Sequence, residues 1–137
     1  MPRAFIDTNI AVYAVDQQDP VKRAEAKRLI TDLLNEGQAV VSSQVLAEFA
    51  NAALKKLQIP AVGVQAEIRL LASNEVVVLS TELICRATEV RVEHQVSFWD
   101  ACILAAAQAA GCEVVYSEDL NAGQWYGSVQ VVNPFAQ

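Results

Sequence analysis

The sequence has a single histidine, His94, and three cysteines, too few and too scattered for the common soft-metal sites. Cys85, Cys102 and Cys112 show no Cys-x-x-Cys or Cys/His spacing and are odd in number, so neither a structural zinc site nor a disulfide framework is expected. They read as small core residues in a reducing compartment. Five glycines and four prolines in 137 residues exclude a loop-built or low-complexity chain. No apolar run approaches the roughly 18 residues that span a bilayer, and the stretch before Asp7 is too short for the apolar region of a signal peptide. A cytoplasmic location is the expectation. Cationic residues are also scarce: ten Lys and Arg against sixteen Asp and Glu give a net charge of −6, which excludes a protein that grips nucleic acid by bulk electrostatics alone.

What is present is an alternation of apolar strands and amphipathic helices. Short strands are expected at residues 3–7, 39–41, 76–79, 114–116 and 129–132, and helices at residues 8–15, 20–36, 43–57, 60–72, 81–93 and 97–110. Pro20 suits a first helical turn, and Gly37 and Gly111 suit helix ends. Residues 121–127 read as a connecting loop. Strands separated by helices require crossover connections, so the expected fold is α/β. It has one domain over residues 1–137 and a mainly parallel five-stranded sheet with helices on both faces. In such sheets ligands gather at the carboxyl ends of the strands, where Asp7 and Asp119 fall.

The most informative feature is where charge is missing. Asp7 is the only charged residue between Ala4 and Val15, and Glu48 the only one between Gly37 and Leu54. Asp100 stands alone from His94 to Cys112, and the Glu118-Asp119 pair stands alone from Val114 onward. Neither Glu48 nor Asp100 has a Lys or Arg three or four positions away, so neither has a helical salt-bridge partner. Asp100 lies on a helix that is apolar nearly all round and is expected to be buried. Unpartnered carboxylates in apolar surroundings become protonated, pair with a distant cation, or bind a metal. Four of them converging on one sheet edge would repel each other, and divalent cations relieve that conflict. All-oxygen ligands favour Mg²⁺ or Mn²⁺.

Each acid also has a plainer reading. Asp7 can cap the following helix, Ser97 and Asp100 have capping-box spacing, Glu48 can pair with Arg86 or Arg91, and Glu118 and Asp119 can be turn residues. His94 reads as an exposed residue near a helix end. The cations Lys22, Arg23, Lys27 and Arg28, with Lys55 and Lys56, read first as solvated faces. Lys22, Arg23, Lys55 and Lys56 are the candidates for RNA contact.

The motifs Phe5-Ile6-Asp7-Thr8-Asn9-Ile10, Ser43-Gln44-Val45-Leu46-Ala47-Glu48-Phe49, Ser97-Phe98-Trp99-Asp100-Ala101, Tyr116-Ser117-Glu118-Asp119-Leu120 and Asn133-Pro134-Phe135, in that order, resemble a PIN-domain ribonuclease. The closer resemblance is to the VapC-like toxins of bacterial toxin–antitoxin pairs. It implies a PIN-like three-layer fold and a metal-dependent endoribonuclease with one or two Mg²⁺ or Mn²⁺ ions. Asp7, Glu48, Asp100 and Asp119 would be the catalytic and metal-binding acids, with Thr8, Asn9 and Ser117 in support. Glu118 would assist or replace Asp119. It further implies an RNA substrate, a cognate antitoxin and a homodimer. The alternatives are a receiver-like Mg²⁺-binding signalling domain, disfavoured because no lysine follows Lys56, and a catalytically silent PIN-fold binding module.

Overall fold

The computed structural model describes residues 1–136. The elements follow the order β1 (Ala4–Ile6), α1 (Thr8–Tyr13), α2 (Pro20–Asn35), β2 (Ala39–Ser42), α3 (Ser43–Lys55), α4 (Ala61–Leu71), β3 (Glu75–Val77), α5 (Thr81–His94), α6 (Phe98–Ala109), β4 (Val114–Tyr116), β5 (Trp125–Tyr126) and β6 (Val129–Val132). They form one sheet in the order β3-β2-β1-β4-β6-β5. All neighbours run parallel except β5 and β6, which pair antiparallel. The fold is the expected α/β arrangement of a mainly parallel sheet flanked by helices, with β5 added. Trp125 and Tyr126 fall inside the stretch read as loop, because two residues opposite Gln130 and Val129 are too short to show a strand period.

The strand sequences follow from their positions. β1 and β2 lie inside the sheet and are buried at every residue, which matches runs that are apolar throughout except for the capping Ser42. β6 alternates buried and half-buried residues. The helices begin and end where their caps allow. Ser42, Ser80 and Ser97 each accept a hydrogen bond from a backbone N–H three residues on. After α2, Gly37 sits at φ +71°, its N–H bonds to the Leu34 carbonyl, and that of Gln38 reaches Leu33. Gly111 closes α6 in the same way through Ala107 and Gln108, a left-handed cap that glycine adopts without a Cβ penalty.

The core joins both helix layers to the sheet. α1 packs with α2 and α3, α3 with α4, and α5 with α6, while α6 also contacts β2, β4 and β6. Every residue from Ala101 to Ala107 is buried, so α6 is the most enclosed helix and its alanines permit close approach to the strands. Cys102 and Cys112 lie in this core as expected, whereas Cys85 is exposed on α5. His94 ends α5 as expected but is half-buried, its ring edge-on to Tyr126 at 5.1 Å. No helix among the described residues is long and apolar enough to cross a membrane.

The chain order β1, β2, β3 runs toward one edge of the sheet, and β4 returns to the other side of β1. The connections after β1 and β4 therefore diverge and leave a crevice at their carboxyl ends. Asp7 immediately follows β1, and Ser117 to Asp119 follow β4.

Candidate active site

The four isolated acids meet in that crevice. Asp7, Glu48, Asp100 and Asp119 all line a single cavity of roughly 500 Å³. Asp7 arrives on the turn from β1 into α1, Glu48 on the middle of α3, Asp100 on the first turn of α6 and Asp119 on the loop after β4. Their burial is graded. Asp7 is buried and Asp100 half-buried, while Glu48 and Asp119 are exposed at the cavity wall. The expectation of a buried Asp100 is thus corrected: α6 becomes enclosed only from Ala101, leaving its first turn at the crevice.

Asp7 is held from several sides. Its Oδ1 accepts the Thr8 N–H at 2.7 Å, which is the expected N-cap, and its Oδ2 accepts the Ser117 hydroxyl at 2.7 Å. Asn9 Nδ2 lies 3.3 Å from Asp7 Oδ2 and 3.0 Å from Asp119 Oδ2, so one amide donor bridges two carboxylates. Burial pushes the Asp7 carboxyl up to about 6. The hydrogen bonds from Ser117 and Thr8 oppose the rise, and the charges of Asp119 and Asp100 add to it.

The supporting residues also converge. The Ser117 hydroxyl, fully buried, accepts the N–H groups of Asp119 and Leu120 at 3.1 and 3.3 Å, fixing the loop that presents Asp119. Asn9 Oδ1 accepts the Glu118 N–H at 3.0 Å. The Thr8 hydroxyl donates to Glu48 Oε1 at 2.7 Å, which fixes Glu48 without any arginine. Ser97 Oγ accepts the Asp100 N–H at 3.1 Å, the first half of the expected capping box.

Glu118 has a separate partner. Its carboxylate forms an ion pair with Lys22 and accepts the Tyr13 hydroxyl at 2.8 Å. The Lys22 ammonium lies over the Tyr13 and Phe135 rings, 4.7 and 5.2 Å from their centroids. Lys22 holds the Glu118 carboxyl below its ordinary value. Among the RNA-contact candidates, Lys22 is therefore committed to Glu118, Lys56 lines the acid cavity, and Arg23 and Lys55 do not.

The cavity also takes in residues that the sequence reading did not assign to the site, Gln44, Asn51 and Trp99 among them. Gln44 and Asn51 lie four before and three after Glu48 on α3, the helical spacing that would have revealed them. Gln44 Nε2 donates to the Trp99 carbonyl at 3.3 Å, whereas its buried Oε1 has no partner among the described residues. Trp99 lines the rim and is 58% exposed.

The donor set fits a hard divalent cation. Among the described residues, no lysine, arginine or histidine forms an ion pair with any of the four acids. The donors are oxygens throughout, the partnerless Gln44 Oε1 included, and the neighbouring negative charges of Asp119 and Asp100 add to the rise of the Asp7 carboxyl. As they stand, no three acids are gathered closely enough to hold an ion among the described residues. An incoming ion would compete with Asn9, Thr8 and Ser117 for the same oxygens.

A family model for the PIN domain matches residues 4–124. The fold resembles the crystal structure of Mycobacterium tuberculosis VapC20, described as a sarcin-ricin loop cleaving toxin. That match has a TM-score of 0.67 at 23% identity and covers 85% of this chain and 89% of that one. It also resembles a toxin-antitoxin complex from Klebsiella pneumoniae, with a TM-score of 0.71 at 24% identity, covering 96% of this chain and 98% of that chain. Comparison with curated proteins gives no significant sequence match.

Proposed function

Since the chain belongs to the PIN domain family, we propose that it is a metal-dependent endoribonuclease hydrolysing RNA phosphodiesters, and the toxin of a toxin–antitoxin pair. The observation that carries this reading is the meeting of Asp7, Glu48, Asp100 and Asp119, distant in sequence, around one cavity with no cationic partner among the described residues. The toxin role is supported by the two solved structures. A cognate antitoxin, a homodimer and a cytoplasmic location complete the reading, with residues 1–137 forming one PIN-like domain.

Asp7 and Asp100 would be the principal ligands of one or two Mg²⁺ or Mn²⁺ ions, with Asp119 as a further ligand. Such ions supply Lewis-acid stabilisation of the charge on the phosphodiester. The chain's own residues do the positioning. Ser117 and Asn9 orient Asp7 and Asp119, and Thr8 fixes one oxygen of Glu48, leaving the other free to take a proton from the attacking water. The water oxygen bonds to phosphorus as the P–O bond to the leaving ribose oxygen breaks, that oxygen takes a proton from solvent water, and no covalent protein intermediate is formed.

The test is incubation of the purified chain with mixed RNA in the presence of Mg²⁺, Mn²⁺ or chelator, beside Asp7→Asn and Asp100→Asn. Cleavage should need the metal and fall at least about a hundredfold in each variant. Equal cutting by all three proteins would reject the assignment. Absence of metal-dependent cutting would leave the catalytically silent PIN module. The receiver-like alternative falls with the family match.

A further inference from the structure

The acid cavity is poorly suited to hold more than the scissile phosphate. Six carboxylates line it, of which Glu118 alone is paired, with Lys22, and Lys56 is the only cation in its wall among the described residues. A ribonucleotide chain passing through also carries phosphates on either side of the cleaved bond, and those would face uncompensated negative charge. A second cavity adjoins it, sharing Asp16 and Lys56 in its wall.

This second cavity measures roughly 700 Å³, within the size range of ligand sites. Arg23 and Lys27, four apart on one face of α2, line it together with Lys56, against Asp16 and Glu67. None of the three cations makes an ion pair among the described residues. Lys22, one position before Arg23, is taken by Glu118, and Lys55 lines neither cavity. On a chain of net charge −6, three unpaired cations collected in a concavity beside the acid centre form a local exception.

We infer that the Arg23, Lys27 and Lys56 cavity is a binding site for the RNA backbone flanking the cleaved bond, entered from the acid cavity at the Lys56 corner. The inference rests on the nuclease reading for its ligand and on the shared wall for its path. It replaces Lys22 and Lys55 as RNA contacts and adds Lys27. Charge complementarity favours a polyanion, and continuity with the acid cavity favours RNA over an acidic protein segment.

The test uses the full chain and a fluorescein-labelled single-stranded RNA pool of about 20 nucleotides, with binding read by anisotropy in chelator across a salt series. In the Arg23→Gln/Lys27→Gln variant the affinity should fall about tenfold, and the slope of log K against log salt should become shallower by about 1.4, some 0.7 for each phosphate of a single strand that the variant no longer neutralises. Arg23→Lys/Lys27→Arg should restore both, and Glu67→Gln should tighten binding. Melting temperature monitors folding of each variant. Unchanged affinity and slope in the folded double variant would overturn the site. So would a charge dependence seen with a polyglutamate peptide but not with RNA. Cleavage of the same pool with Mn²⁺ separates the two readings. Cutting that persists with binding indifferent to Arg23 and Lys27 rejects this site alone. Charge-dependent binding without cutting supports the site and rejects the nuclease.

Discussion

At the scale of single residues, the most consequential group is Asp7, a buried carboxylate that accepts hydrogen bonds from Thr8, Asn9 and Ser117 but has no cationic partner among the described residues. Its carboxyl is raised from 3.8 to about 6 because burial and two acidic neighbours penalise the charged form. Between those values the folded, metal-free chain binds more protons than the unfolded one, so this group's contribution to stability is highest at low pH and declines as pH rises from about 4 to about 6. Above about 6 the loss is complete. Asp7→Asn, whose single oxygen can accept from Ser117 but turns an amide N–H toward that of Thr8, should therefore stabilise the metal-free protein at pH 7 by about 3 kcal/mol at most, less about 1 kcal/mol for the lost cap. That gain should vanish near pH 4, as urea unfolding at the two pH values would register. A second residue-level expectation concerns Glu118, which the sequence left undecided between assisting and replacing Asp119. Because Lys22 and Tyr13 engage its carboxylate, Glu118→Gln should retain cleavage within about tenfold, whereas Asp119→Asn should lose about a hundredfold. Comparing the two initial rates checks this, and the reverse order would make Glu118 the working acid.

Among the elements, α6 does two jobs with one sequence. From Ala101 onward its small apolar residues pack against β2, β4 and β6, and its first turn delivers Asp100 to the cavity. Ser97 joins the two roles, since its hydroxyl accepts the N–H of Asp100 itself. Ser97→Ala should lower stability by about 1 kcal/mol, a typical cost of removing a cap. It should also slow cleavage by about 10- to 100-fold, as removing an outer positioning hydrogen bond does. Denaturant unfolding and initial rates measure the two effects, and a stability loss with full activity would show that the cap serves the helix alone. α3 is built on the same plan, with Val45, Phe49 and Ala53 inward and Gln44, Glu48 and Asn51 along the cavity.

For the whole molecule, the sheet order brings together acids that the chain keeps far apart. The divergence of connections after β1 and β4 opens the crevice, and α3 and α6 close its sides. Such a centre is a local weakness of the metal-free fold, and ions that bind only the folded state should remove it. Millimolar Mn²⁺ should raise the melting temperature of the unsubstituted chain, by the equivalent of about 2.7 kcal/mol if the ion is at a hundred times its dissociation constant. The rise should be much smaller in Asp100→Asn. Equal shifts in the two proteins would place the ion elsewhere.

The sequence by itself determined the alternation of strands and helices, because hydrophobic periodicity and caps act over a few residues and leave a local record. It also marked the four acids, since an ionised side chain in a long uncharged stretch has no local partner to explain it. It did not reveal β5, whose two residues owe their conformation to β6, nor the depth of each acid, which depends on distant walls. Only the tertiary structure could decide that Lys22 belongs to Glu118, that Thr8 holds Glu48, and that Lys56 joins two cavities. Those pairings span gaps of 96 and 40 residues or a shared wall, and Coulomb forces and hydrogen bonds act across space with no regard to sequence separation.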